Sequence, residues 1–141
     1  MSSTVAQRLE QTVFYLDGSI YSRILVEEMR AGGANVRHAG GAFPFGTADE
    51  VWLTGAGRAG WIVLMRDKRI RYRPLEYLAL REAGVGAFVF TGGTVTASET
   101  AGVVVRILTK FVNMAASEPR PFLYTFGPSG SLTRVALRRK K

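Results

Sequence analysis

Trp61-Ile62-Val63-Leu64-Met65-Arg66-Asp67 is the stretch whose reading decides the fold. Five apolar residues run without alternation and then stop at a basic and an acidic side chain. A strand with one wet face alternates, whereas an unbroken run of this length suits a central parallel strand covered on both faces. It is far short of the ~20 residues of a membrane-spanning helix, so no membrane partner is expected. Just upstream, Thr47-Ala48-Asp49-Glu50 has the capping-box pattern, in which threonine and glutamate exchange hydrogen bonds with the helix start. It predicts a helix carrying Trp52, Leu53 and Ala56, closed by Gly57 and Gly60. Downstream, Pro74 suits the first turn of a helix running to about Glu82 and ended by Gly84, and Ala87 to Phe90 reads as the next strand.

The outer segments repeat this rhythm. Val13 to Leu16 is a short β-rich run that ends at Asp17-Gly18. Ile20, Ile24, Leu25 and Met29 follow helical spacing, and Gly32-Gly33 stop that helix. Asn35 to His38 reads as a weak strand, followed by a Gly/Phe/Pro loop from Ala39 to Gly46. Thr96 to about Ala115 reads as one long helix, with Val103, Ile107, Phe111 and Met114 on a stripe. Phe122 to Phe126 and Leu132 to Leu137, joined by Gly127-Pro128-Ser129-Gly130, predict a terminal β-hairpin. Strands alternating with helices imply an α/β fold with a mostly parallel sheet. We expect a single domain over residues 1–141, with its core in 13–137 and a basic tail at 138–141.

Composition limits the chemistry. In 141 residues, 47% are hydrophobic, enough for a buried core. The formal net charge of +8 attracts polyanions, of which nucleic acid is the commonest. With no cysteine, disulfides, zinc thiolates and cysteine nucleophiles are excluded. The stretch MSSTVAQRLEQ has no apolar signal core, so a cytoplasmic location is expected.

In an open α/β sheet, ligands bind beyond the C-terminal strand ends where the strand order reverses. For the order 2-1-3-4 that crevice lies between the first and third strands. Asp17 follows the first, Asp67 follows the third, and Asp49 starts the helix leaving the same edge. Clustered carboxylates raise one another's pKa unless a hard cation such as Mg²⁺ or Mn²⁺ sits among them. Such an ion would also stabilise charge during attack on a phosphodiester. Asp17, Asp49 and Asp67 are therefore the candidate metal ligands and catalytic acids, with Glu99, early in the long helix, as an extra ligand. Each has a structural reading too, as a helix start or a turn residue. Glu50 is expected to cap Thr47 rather than bind metal. Lys68, Arg69, Arg71 and Arg73 lie beside Asp67 in a basic run opened by Arg66, and Arg23 stands early in the first helix. These are the candidate phosphate contacts. His38, the one histidine, reads as structural, and Trp52 and Trp61 read as core.

Phe14-Tyr15-Leu16-Asp17 with Arg23, the block Thr47 to Leu53, the block Gly60 to Pro74 and Leu80-Arg81-Glu82-Ala83-Gly84-Val85-Gly86-Ala87-Phe88 together resemble the PIN-like family that includes VapC-type toxins of bacterial toxin–antitoxin pairs. The likeness runs from about Val13 to the terminal hairpin. It implies a three-layer α/β fold and an Mg²⁺- or Mn²⁺-dependent endoribonuclease. It implies RNA as substrate and a cognate antitoxin as partner, with a homodimer left open. By that match Asp17, Asp49 and Asp67 take the family's acid positions, and a fourth acid has no clear equivalent. Two other readings stand beside it: a catalytically silent RNA- or protein-binding module, and a receiver-like phosphorylation domain. A receiver wants an acidic pair after strand one and a lysine at a later strand end, and Gly18 and Thr91-Gly92-Gly93 supply neither.

Overall fold

The computed structural model describes residues 4–66, 74–93 and 95–137. Six strands form one sheet in the order β2-β1-β3-β4-β5-β6. They are β1 (Val13–Leu16), β2 (Asn35–His38), β3 (Ile62–Met65), β4 (Gly86–Phe90), β5 (Phe122–Phe126) and β6 (Leu132–Arg134). The first five run parallel and β6 closes the edge antiparallel to β5, so the predicted hairpin is part of the main sheet. The helices are α1 (Val5–Gln11), α2 (Arg23–Ala31), α3 (Asp49–Arg58), α4 (Pro74–Glu82), α5 (Ala97–Arg106) and α6 (Leu108–Ser117).

The alternation of side chains along each strand builds two separate cores. Phe14, Leu16, Ile62, Leu64, Phe88 and Phe90 pack with Leu25, Met29, Val104 and Phe111 from α2, α5 and α6. Tyr15, Val63, Met65, Ala87 and Val89 pack with Trp52, Leu53, Ala56 and Leu80 from α3 and α4. All four residues of β3 are buried, as its unbroken apolar run requires. Gly86 is needed where β4 meets β5: a Cβ there would stand 2.6 Å from the Phe122 ring.

Several local expectations are corrected. The helix after β1 begins at Arg23, with Ser22 as its cap, and not at Ile20. Ile20 and Tyr21 instead donate their N–H groups to the Asp17 carbonyl in a turn. The Thr47–Glu50 capping box does not form. Ala48 holds the cap position without a side-chain bond, and the Thr47 hydroxyl donates to the Pro44 carbonyl at 2.6 Å. Gly57 lies inside α3, where it lets the helix close on Ala83. The long helix breaks at Ile107 (φ −107°, ψ 15°), dividing it between two partners, α2 for α5 and α1 for α6. The turn between β5 and β6 docks at the break: Arg106 and Lys110 donate to the carbonyls of Pro128 and Gly130. Paired bonding in β6 ends at Arg134, although Val135 still donates to the Leu123 carbonyl.

Candidate active site at the carboxyl edge of the sheet

Asp17 is placed by β1. Its N–H donates to the Leu64 carbonyl at 3.0 Å, so the ladder to β3 continues one residue past the strand. Two residues from Tyr15, it falls on the face that α3 covers. Its Oδ2 accepts from the Ser19 N–H at 3.3 Å and from the Ser19 hydroxyl. The Ser19 oxygen in turn accepts from the Arg66 N–H at 3.0 Å. One hydroxyl therefore ties the acid at the end of β1 to the backbone leaving β3. Oδ1 of this half-exposed carboxylate has no hydrogen-bond partner among the described residues.

Asp49 opens α3, and its Oδ1 accepts from the Trp52 indole N–H at 2.9 Å. Trp52 is buried, and its ring centroid lies 5.2 Å from that of Tyr15. Tyr15 also meets Phe43 and Trp61 at 5.6 and 6.0 Å. Burial first, and then the negative fields of Asp17 and Asp49, push the Tyr15 phenol up to about 12. Two carboxylates from different elements thus act on one phenol. Asp17 and Asp49 both stand near enough to Tyr15 for their charges to be felt there.

The remaining candidates are placed as follows. Asp67, Lys68, Arg69, Arg71 and Arg73 lie outside the described residues. Glu99 folds back to cap α5, its carboxylate accepting from the Thr96 N–H at 3.3 Å while the Thr96 hydroxyl accepts from the Glu99 N–H. The capping box expected at Thr47 is found here. Arg23, fully at the surface, pairs with Glu27 one turn along α2 at 3.1 Å. Arg66 is engaged by the end of β4 and the segment after it: its guanidinium donates to the carbonyls of Gly93 and Val95 and lies 5.2 Å from the Phe90 ring centroid. His38 stacks on Tyr21 at 4.7 Å, with Nδ1 2.9 Å from the Ala39 carbonyl oxygen, a structural role.

The donors at this edge are carboxylate oxygens, the hard ligands that Mg²⁺ and Mn²⁺ take. Among the described residues, no three acidic or histidine side chains gather closely enough to hold an ion together. Ser19 and the second role of Trp52 were missed from the sequence. Ser19 carries a signal, since a residue two after an aspartate commonly bonds its side chain in a turn. Trp52 stands three residues from Asp49, a spacing that brings helical side chains together.

Residues 12–92, more than half of the chain, match the family described as PIN like domain. The chain belongs to the PIN-like domain family, in keeping with its mostly parallel sheet flanked by helices and its antiparallel last strand. Membership points to nuclease-type function in general. No curated protein and no solved structure matches the chain. Among the described residues, no helix is long and apolar enough to cross a membrane.

Proposed function

We propose that the chain is a metal-dependent endoribonuclease of the toxin type, held in check by a cognate antitoxin protein. The carrying observation is the pair of carboxylates, Asp17 and Asp49, acting on one phenol at the sheet's carboxyl edge, with one Asp17 oxygen left uncommitted. Asp17 and Asp49 would hold Mg²⁺ or Mn²⁺, with Asp67 as the third ligand. The bound ion supplies charge neutralisation and Lewis acidity at a phosphodiester. Ser19 holds Asp17 in one orientation, and Trp52 does the same for Asp49. Arg23, Lys68, Arg69, Arg71 and Arg73 are the proposed phosphate contacts.

Single-turnover cleavage of an RNA mixture, with and without Mn²⁺, tests the reading. Wild type should cleave only with the ion, and Asp17→Asn and Asp49→Asn should each cut slower by roughly a hundredfold or more. Metal-independent cleavage, or an unaffected Asp17→Asn, would refute it. The competing reading, a catalytically silent binding module, draws on the bond that engages one Asp49 oxygen and on the cap that engages Glu99. Calorimetry separates the two: a silent module gives the same heat with Mn²⁺ for wild type and for Asp17→Asn.

A further inference from the structure

Phe45 is the most exposed large hydrophobic residue among those described, at 71%, and the one aromatic ring in that group. The other four stand on α1, α3 and α4, whereas Phe45 stands alone on the loop between β2 and α3. A lone exposed aliphatic side chain needs no explanation. This ring does, because the loop is built to hold it out. On either side of Pro44 the chain sends its two phenylalanines to different places: Phe43 packs on Tyr15 and Trp61, and Phe45 closes over Gly40. Gly40 (φ +85°) leaves room for it, since a Cβ there would run into the Phe45 ring. The Gly40 N–H donates to the Phe43 carbonyl at 2.8 Å, and those of Gly41 and Ala42 donate to the His38 carbonyl at 3.1 and 3.0 Å. A hydrogen-bonded loop therefore props the ring from beneath and leaves the rest of it in solvent.

That loop leaves the sheet beside Asp17. The Ala39 N–H donates to the carbonyl of Leu16, the residue before Asp17, at 3.0 Å. The Ala39 methyl lies 4.0 Å from where a Cβ would stand on Gly18, the residue after it. A second ring belongs to the same turn. The Tyr21 N–H donates to the Asp17 carbonyl at 2.9 Å, and its half-buried ring is backed by His38 at 4.7 Å and 30°. The Tyr21 hydroxyl has no hydrogen-bond partner among the described residues. A protein partner would want a contiguous apolar patch, and this loop offers one large exposed ring among glycine, alanine and proline. A nucleobase needs only one face of one ring. Single strands are held by such rings together with a positive field that draws in the backbone, and the chain carries +8. A base inside a duplex has no free face to offer.

We propose that Phe45, with Tyr21 as a second ring, is a platform on which an unpaired nucleobase of the RNA stacks beside Asp17. This deepens the proposed function and rests on its RNA ligand. It makes Phe45 a binding residue that takes no part in the chemistry, and it makes the favoured strand a single one. Stacking accepts any base, since every base has a π-face, so Phe45 selects for an unpaired strand and not for a sequence.

Binding measured without a metal ion tests this independently of cleavage. Anisotropy of a labelled single-stranded RNA gives affinity, and 2-aminopurine placed in that strand reports stacking through loss of its fluorescence. Wild type should bind and quench. Phe45→Ala should bind roughly tenfold more weakly and quench less. Phe45→Leu, which keeps an apolar side chain, should behave like Phe45→Ala, and Phe45→Trp should restore both signals. Tyr21→Leu, which keeps the packing against the core, should weaken binding in the same direction. None of these changes removes a charge, so the salt dependence of binding should stay that of wild type. Phe45 is exposed, so circular dichroism and melting temperature should not change in its variants. The same strand held in a duplex, or an abasic strand of equal length, should bind wild type and Phe45→Ala alike. Equal single-strand affinity in wild type and Phe45→Ala overturns the proposal, as does full binding by Phe45→Leu or an equal loss on the abasic strand. Quenching by a wild type that fails to cleave with Mn²⁺ supports the platform and sinks the nuclease reading alone. Mn²⁺-dependent cleavage with no stacking on Phe45 sinks the platform alone.

Discussion

Burial and charge act on Tyr15 in the same direction, and this makes its phenol a reporter of the acids beside it. A phenol held up to about 12, against 10 in the unfolded chain, favours folding while it stays protonated. That contribution is fully present below pH 10 and is lost as pH rises through about 12. Two pH units correspond to about 3 kcal/mol. Denaturant unfolding followed from neutral pH upward should therefore show a shallower alkaline loss in Tyr15→Phe than in wild type; equal slopes would mean the phenol ionises freely in the folded protein. The difference in phenolate absorbance between these two proteins isolates the Tyr15 titration. Asp49→Asn should lower its midpoint yet leave it above 10, because burial is the largest cause. An unchanged midpoint would separate Asp49 from the Tyr15–Asp17 edge. Ser19→Ala removes one donor to Asp17 and one acceptor from Arg66, at a cost of about 1 kcal/mol at this exposed turn. Calorimetric Mn²⁺ affinity should fall with it while Ser19→Thr keeps it; equal affinity in Ser19→Ala would make the hydroxyl a turn bond only.

Thr47 to Glu50 and Thr96 to Glu99 both read Thr-x-x-Glu, the capping-box pattern, yet of these two only the second forms the box. At Thr47 the preceding turn captures the hydroxyl on the Pro44 carbonyl, and the helix starts later. Glu99→Ala should therefore cost about 1 kcal/mol in thermal unfolding, and Glu50→Ala almost nothing. The reverse order would restore the cap to Thr47. Gly57→Ala sets two effects in opposition. Helix propensity favours alanine by about 1 kcal/mol, but its Cβ would stand 2.7 Å from Ala83, and overpacking costs about 1–3 kcal/mol. Destabilisation should win; a stabilised variant would show that α3 and α4 can move apart. These cases mark where the sequence was legible. The central strands could be read, because β1, β3 and β4 are apolar runs that must be buried on both faces, whereas the order 2-1-3-4 was the common one for such sheets and not a reading of these residues. Helix α1 could not, since it buries no residue and so shows no apolar stripe. The break at Ile107 was hidden because the apolar stripe passes through it uninterrupted. At the candidate site Asp17 and Asp49 were legible from their places after a strand and at a helix start. Ser19 and the Trp52–Asp49 bond depend on which way a turn and an indole face, and spacing does not specify that.

A formal charge of +8 overstates what this protein presents to a polyanion, because many of its cations staple the fold. Arg30 donates to the Val36 carbonyl, Arg66 to Gly93, Arg106 to Pro128, Lys110 to Gly130 and Arg120 to Gly60. Arg134 pairs with Glu118, and Arg8 bonds Asn113. Arg30, Arg58, Arg81 and Arg106 also stand in the last turns of their helices, where the dipole favours a cation. The long apolar cores fill the interior, while these side chains tie loops across its rim. Arg120 is the clearest case: it joins the approach to β5 with the end of α3 at 2.6 Å, and burial lowers its pKa. Stapling cations and RNA-contacting cations should therefore separate by experiment. Arg120→Gln should lose about 1 kcal/mol and melt a few degrees lower, leaving the salt dependence of RNA binding unchanged. Arg69→Ala with Arg71→Ala should do the opposite. Two lost phosphate contacts on a single strand reduce the slope of log affinity against log salt by roughly 1.4, with the melting temperature unaltered. Both quantities come from one set of proteins, by thermal unfolding and by fluorescence anisotropy with a labelled RNA over a salt series. If Arg120→Gln flattens the slope as much as the double variant does, the charge acts as a diffuse whole. The run from Lys68 to Arg73 then has no special claim on RNA.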